Sequence, residues 1–206
     1  MEVKDELALH TGDILLFRSN TYISYILQYF GQSMYSHVGI ILKNPSFLNS
    51  ALEDGLYVLE SSTSNTRPDA ENNQYKCGVQ IHRLDDILES YPRGSVFVRQ
   101  VICKRDDAFY EKFAAVHKEI HNKPYDLNPC DWLMAKYNIT YPLPINSWFH
   151  STSKFWCSAL VTYVFYELGL IEKDVNWSLV APREFSSVEG HHLIFTCKIN
   201  NEKNIY

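Results

Sequence analysis

The chain is predicted to fold as an α+β domain. Three observations predict this. Short apolar β-type runs dominate the first half, the clearest helical periodicities come later, and the two do not alternate regularly. At 206 residues the chain reads as one domain over 1–206, with loop elaborations at about 62–77 and 138–153. That length buries a core without disulfide or metal staples.

Each element has a local reason. Thr11-Gly12-Asp13 is a turn, and Ile14 to Phe17 is a short apolar strand. Thr21 to Phe30 reads as a helix with Ser24 and Gln28 as its polar stripe, ended by Gly31. His37 to Leu42 and Leu56 to Ser61 are the next two strands, joined by a loop that begins at Asn44-Pro45. Polar residues 62–76 form an exposed loop. Gly78 to Leu84 alternates as a strand, Asp85 to Ser90 makes a turn or two of helix, and Ser95 to Cys103 is a strong β run.

Asp106 to His121 is the clearest helix, with Phe109, Phe113, Val116 and Ile120 on one stripe and Asp106 and Asp107 at the dipole-favoured start. Pro124 stops it. Cys130 to Lys136 is a weaker helix, and the uncharged stretch to Ser153 is an irregular apolar loop, either a lid or a segment packed on the core. Phe155 to Leu168 is helical with Gly169 as its C-terminal cap, and Leu193 to Ile199 is a final strand.

Composition narrows the function classes. A net charge of −5 without a Lys/Arg cluster disfavours a nucleic-acid binder. Five widely spaced cysteines, with no C-x-x-C pair, argue against a disulfide framework and a structural zinc site. They read as reduced and intracellular. Residues 1–6 lack the layout of a signal peptide, which points to the cytoplasm. The uncharged stretch from Ser19 to Leu42 is broken by polar residues and Gly31, so peripheral membrane contact is open while a spanning helix is not expected. No cofactor motif is present, since Gly12 and Gly39 are isolated. His117 and His121 stand four apart, but residue 118 is Lys and not the Glu of a zinc-protease helix, so no metal site is assigned.

Three residues carry chemistry: His37 opening one strand, Glu60 near the end of another, and Cys157 opening a helix. If the two strands pair with 37 opposite 60, 39 opposite 58 and 41 opposite 56, Glu60 reaches one ring nitrogen of His37 and leaves the other for a thiol. A slip of one residue would separate them. At a helix start, orphan N–H groups and the dipole favour a thiolate and an oxyanion. Each residue also has a plain structural role: a small buried hydrophobe, a strand-start polar group and a solvated strand-end acid.

The ordered set resembles the circularly permuted branch of the NlpC superfamily of papain-like cysteine hydrolases, which has bacterial and poxvirus members and is related to lecithin:retinol acyltransferase-like proteins. The matching pieces are Gly12-Asp13-Ile14-Leu15-Leu16-Phe17, Ser36-His37-Val38-Gly39-Ile40-Ile41, Val58-Leu59-Glu60-Ser61, Pro124-Tyr125-Asp126-Leu127 and Trp156-Cys157-Ser158-Ala159-Leu160-Val161, over roughly residues 10 to 170. The resemblance implies a permuted papain-like fold, a small antiparallel sheet packed against the helix that bears the cysteine, with Cys157 as nucleophile, His37 as base and Glu60 as orienter.

It also implies a place for Tyr125 near the oxyanion, although a Tyr packed under the Pro124 turn fits equally well. Trp156 and Ser158 are further oxyanion or substrate candidates. The expected function is a thiol hydrolase or acyltransferase acting on an amide or ester. Aromatic, uncharged stretches favour a lipid or acylated substrate: a lipid amide or ester, or a lipidated protein. A peptidase or deconjugating enzyme, and a binding module on the same fold, are the alternatives. Codon-driven richness in Asn, Ile, Lys and Tyr, with the poxvirus relatives, points to a viral or intracellular-microbe source.

Overall fold

A computed structural model describes residues 7–18, 33–126, 153–190 and 192–206. The helices expected over 21–30 and 130–136, and nearly all of the 138–153 loop, lie outside the described residues.

The architecture is α+β. Six strands form one antiparallel sheet: β1 (Ile14–Phe17), β2 (His37–Lys43), β3 (Leu56–Ser62), β4 (Gly78–Arg83), β5 (Val96–Arg99) and β8 (Lys203–Asn204), in the order β4-β3-β2-β1-β5-β8. Two short strands, β6 (Val101–Ile102) and β7 (Lys198–Ile199), pair separately. Helices α1 (Leu84–Leu88), α2 (Asp107–Ile120) and α3 (Cys157–Leu168) complete the regular structure, with single 3-10 turns at Pro45–Phe47, Trp177–Leu179 and Pro182–Phe185.

The sheet is covered on both faces, which is why β1 to β3 are apolar at both parities. Ile14, Leu16, Val38, Ile40, Leu42, Leu59 and Ile81 face the core built with α2 and α3. Leu15, Phe17, Ile41, Val58, Val96 and Val98 face a second core closed by Leu84, Ile87 and Leu88 of α1. Full burial of a side chain such as Phe113 or Phe17 contributes about 1.5–3 kcal/mol.

α2 buries the expected stripe of Phe109, Phe113, Val116 and Ile120, and Asp106 caps it by accepting from the Phe109 N–H at 3.2 Å. α3 is buried from Cys157 through Phe165. It ends in a Schellman motif: Gly169 at φ 73°, its N–H to the Tyr166 carbonyl, and the Leu170 N–H to the Phe165 carbonyl.

Three boundaries differ from expectation. The 95–103 run breaks at Gln100, because the Arg99 side chain donates to the Asn200 and Phe185 carbonyls and the chain crosses to the second sheet. Only Lys198–Ile199 of the 193–199 run is a strand, since its partner β6 is two residues long. The helix expected from Phe155 begins at Cys157, because Phe155 is held extended by its N–H to the Pro124 carbonyl and by its own carbonyl accepting from Asp126 N–H.

Candidate active site

Strand pairing builds the first half of the site. β1 and β2 place His37 opposite Phe17, with ring centroids 5.4 Å apart. In the β2–β3 register Ile40 faces Leu59 and Lys43 faces Leu56, so one pair further Gly39 faces Glu60. The expected register is therefore wrong by two residues. An even shift preserves parity, so His37 and Glu60 still share a face, as diagonal rather than opposed neighbours.

Gly39, opposite Glu60, leaves no room for a side chain. A Cβ there would lie 3.7 Å from the Glu60 Cβ and 2.8 Å from Val58 Cγ1. On this face His37 Nε2 meets Glu60 Oε2 at 2.6 Å. Because the acceptor is a carboxylate, His37 carries its proton on Nε2 here.

The second half comes from α3. Cys157 is the first helical residue, after the extended Trp156, and it is buried. Its thiol lies close enough to the His37 ring to help raise the imidazole pKa. With Nε2 engaged by Glu60, the nitrogen left for sulfur is Nδ1. The site thus joins the first residue of β2 to the first residue of α3. Ser61 secures the approach: its buried hydroxyl donates to the Phe155 carbonyl at 2.6 Å, two residues before Cys157. The N–H groups of Cys157 and Ser158 fall in the first turn, where no intrahelical carbonyl is available to them.

Electrostatics bind the pair together. Burial disfavours a charged His37 ring, but the Glu60 charge and the hydrogen bonds to Cys157 and Glu60 outweigh it and raise the imidazole pKa from 6.5 to about 10. Burial likewise opposes Glu60 ionisation, and the His37 charge with hydrogen bonds from His37 and His82 overcomes it, lowering the carboxyl to about 2.

Tyr125 lies beside this group. Burial first, then the charges of Cys157, Asp126 and Glu60, push its hydroxyl well above the ordinary value, so it stays a protonated donor. Trp156 fits less well as an oxyanion donor, since its indole N–H donates to the Ser178 carbonyl at 3.0 Å. Ser158 is fully buried, and its hydroxyl has no hydrogen-bond partner.

Two neighbours escaped the sequence reading. His82 on β4 sets its Nδ1 3.3 Å from Glu60 Oε1. Tyr91 stacks on Phe17 at 4.7 Å, and burial, then the Glu60 and Cys157 charges, raise its hydroxyl pKa. A signal for His82 existed: Gln80 and His82 are the polar parity of an alternating strand. That parity looks solvent-facing in sequence yet is buried.

Other candidates fall elsewhere. Asp13 is a buried structural acid, accepting from the His10 and Val101 N–H groups and from Arg105. His117 meets Glu71 at 3.0 Å, and His121 donates from Nδ1 to the Lys118 carbonyl. Among the described residues, no group of three or more His, Cys, Asp or Glu could hold a metal ion. No helix among them is long and apolar enough to cross a membrane.

No family model matches the sequence, and no curated protein matches it. Among solved structures the chain is similar to the metalloprotein YiiX of Escherichia coli O157:H7, a DUF1105 protein. The two are 18% identical, with 94% of this chain and 97% of that chain covered at a TM-score of 0.50. At that identity the likeness is one of fold.

Proposed function

We propose that this chain is a cysteine-dependent amide or ester hydrolase or acyltransferase on a permuted papain-like fold, with Cys157 as nucleophile, His37 as acid–base and Glu60 as orienter. One observation carries the reading: a single half-buried imidazole lies between a thiol at a helix N-terminus and a buried carboxylate. Nucleophile, base and orienter in hydrogen-bond sequence are the signature of covalent catalysis.

The chemistry follows from the contacts. With its proton held by His37, the Cys157 sulfur adds to the carbonyl carbon, and the C=O π pair moves onto oxygen. The first-turn N–H groups of α3 face that developing charge. Collapse expels the amine or alkoxide, which takes the His37 proton. Water or another acceptor then gives a proton to His37 and adds to the thioester, and sulfur departs. Glu60 stays anionic throughout. The high pKa of His37 makes its resting form the proton donor, so the first cycle uses it as an acid before it serves as a base.

Tyr91 and Tyr125 beside the reacting pair, with Trp156 next in sequence, support an acyl or lipid substrate over a charged one. "Metalloprotein" describes the Escherichia coli protein. The described residues here offer no metal-ligand set.

The test uses p-nitrophenyl esters from acetyl to dodecanoyl, read by intact-mass spectrometry and peptide mapping. The expected result is a transient acyl adduct on Cys157, absent in Cys157→Ala and formed at least about 100-fold more slowly in His37→Ala. Acylation spread over all cysteines, unaffected by His37→Ala, would overturn the reading in favour of a binding module. Cleavage of peptide but not ester probes would move it to a peptidase.

A further inference from the structure

The geometry points to His82 as a positioning residue that pins the Glu60 carboxylate, so that Oε2 faces His37 Nε2 and His37 Nδ1 faces Cys157. This rests on the reading of Cys157 and His37 as the reacting pair and adds a fourth member behind them.

The argument starts from the strand register. Glu60 stands directly opposite Gln80 on β4, and Val58 opposite His82. Gln80 is nevertheless turned away: its Nε2 donates to the Ser64 carbonyl at 3.1 Å. The Glu60 oxygen not used by His37 is met instead from the diagonal position, by His82 Nδ1 at 3.3 Å.

His37 precedes the β2 residue opposite Glu60 by two, and His82 follows the β4 residue opposite it by two. Both strands run antiparallel to β3, so the two imidazoles approach Glu60 from opposite directions along the sheet. One donor per oxygen, from opposite sides, fixes rotation about the last bond of the side chain. Removing His82 frees that rotation and loosens the His37 ring, because the Glu60 oxygen at 2.6 Å fixes where Nε2–H points.

A purely structural reading of His82 fits poorly. Its ring is 5% exposed, and Nε2 is buried without a hydrogen-bond partner. Buried polar atoms are seldom left unpaired, and an apolar side chain would pack there at no such cost. A ring kept in place for its Nδ1–H accounts for the unpaired atom.

The test compares the full-length protein with His82→Asn and His82→Leu. Asn places an amide N–H near the position of Nδ1, and Leu supplies bulk without a donor. Two quantities are read: the rate of Cys157 alkylation by iodoacetamide between pH 5 and 9, and the ring nitrogen shifts of 15N-labelled His37 across the same range. His82→Leu should slow alkylation roughly 10-fold, as expected for a lost hydrogen bond to a charged group. It should also broaden or split the His37 ring signals, as ring and carboxylate sample more than one arrangement, and His82→Asn should restore most of both.

Unchanged His37 shifts and rates in His82→Leu would overturn the inference. Equal losses in both variants would do the same, because bulk and not the donor would then be at work. Should wild-type Cys157 react no faster than Cys77 or Cys103, the functional reading fails, while the His37 shifts still decide the role of His82.

Discussion

Glu60→Gln gives the sharpest test of the electrostatics, because it removes one buried charge and little volume. Glu60 is 4% exposed and accepts from His37 at 2.6 Å and His82 at 3.3 Å. Removing one partner of a buried ion pair costs about 3–5 kcal/mol, and the amide retains an acceptor, so about 3 kcal/mol is expected near pH 6.

The pH dependence is more diagnostic than the size. His37 is raised in the fold, so its contribution is full below its unfolded pKa of 6.5 and is lost as pH climbs through about 10. Glu60 is lowered, so its contribution is full above 4.5 and is lost as pH falls through about 2. The pair therefore stabilises most between pH 4.5 and 6.5.

Above that window the folded state holds one proton more than the unfolded chain. Stability should then fall by up to about 1.4 kcal/mol per pH unit. With the charge gone, burial keeps His37 neutral and the slope disappears. The assay is urea unfolding from pH 5 to 9.5, with and without Glu60→Gln, in a Cys157→Ala background where the thiol no longer titrates. Parallel stability curves from pH 6.5 to 9.5 would refute the claim that Glu60 holds His37 as an imidazolium.

Gly39→Ala forces a Cβ to 2.8 Å from Val58 Cγ1 and 3.2 Å from the Leu59 carbonyl, beside Glu60. It should cost about 1–3 kcal/mol in thermal unfolding and slow Cys157 alkylation as well. Ser61→Ala leaves the Phe155 carbonyl without its buried donor. We expect a loss of about 1–3 kcal/mol and slower alkylation from a less firmly placed Cys157, with an unchanged rate counting against that role. Phe113→Ala empties a fully buried site in the helical core and should cost about 3–5 kcal/mol in urea unfolding. Its folded fraction should alkylate at the wild-type rate, since Phe113 takes no part in the contacts that join Glu60, His37 and Cys157.

Much of the site was legible from local pattern, and its failures are instructive. The ends of β1, β2 and β3 follow apolar runs bounded by turn residues, and α2 follows its 3.6-residue stripe. The opposition of His37 and Glu60 failed because hairpin register depends on how a 12-residue connection closes, with a turn at Pro45–Phe47 and the Asn44 N–H bonded to the Gly55 carbonyl. Their shared face survived because alternation constrains parity more strongly than register. His82 and Gln80 were passed over because a polar parity on a strand ordinarily faces water, whereas here both side chains are buried. The Trp156 indole was committed to a carbonyl 22 residues away, which no local rule anticipates.

Residue type and spacing alone therefore determined which groups could react: a cysteine at a helix start, and a histidine and an acid on the same strand parity. These are short-range properties, set by dihedral preference and by the alternation of side chains along a strand. Only the tertiary structure decided that the three meet, that the imidazole is flanked by carboxylate and thiol, and that a second histidine backs the carboxylate. Those contacts join residues 22 to more than 90 positions apart, such as Glu60 with His82 and Ser61 with Phe155. They form only when long-range strand pairing and helix docking bring the groups together and exclude the water that would otherwise solvate each one separately.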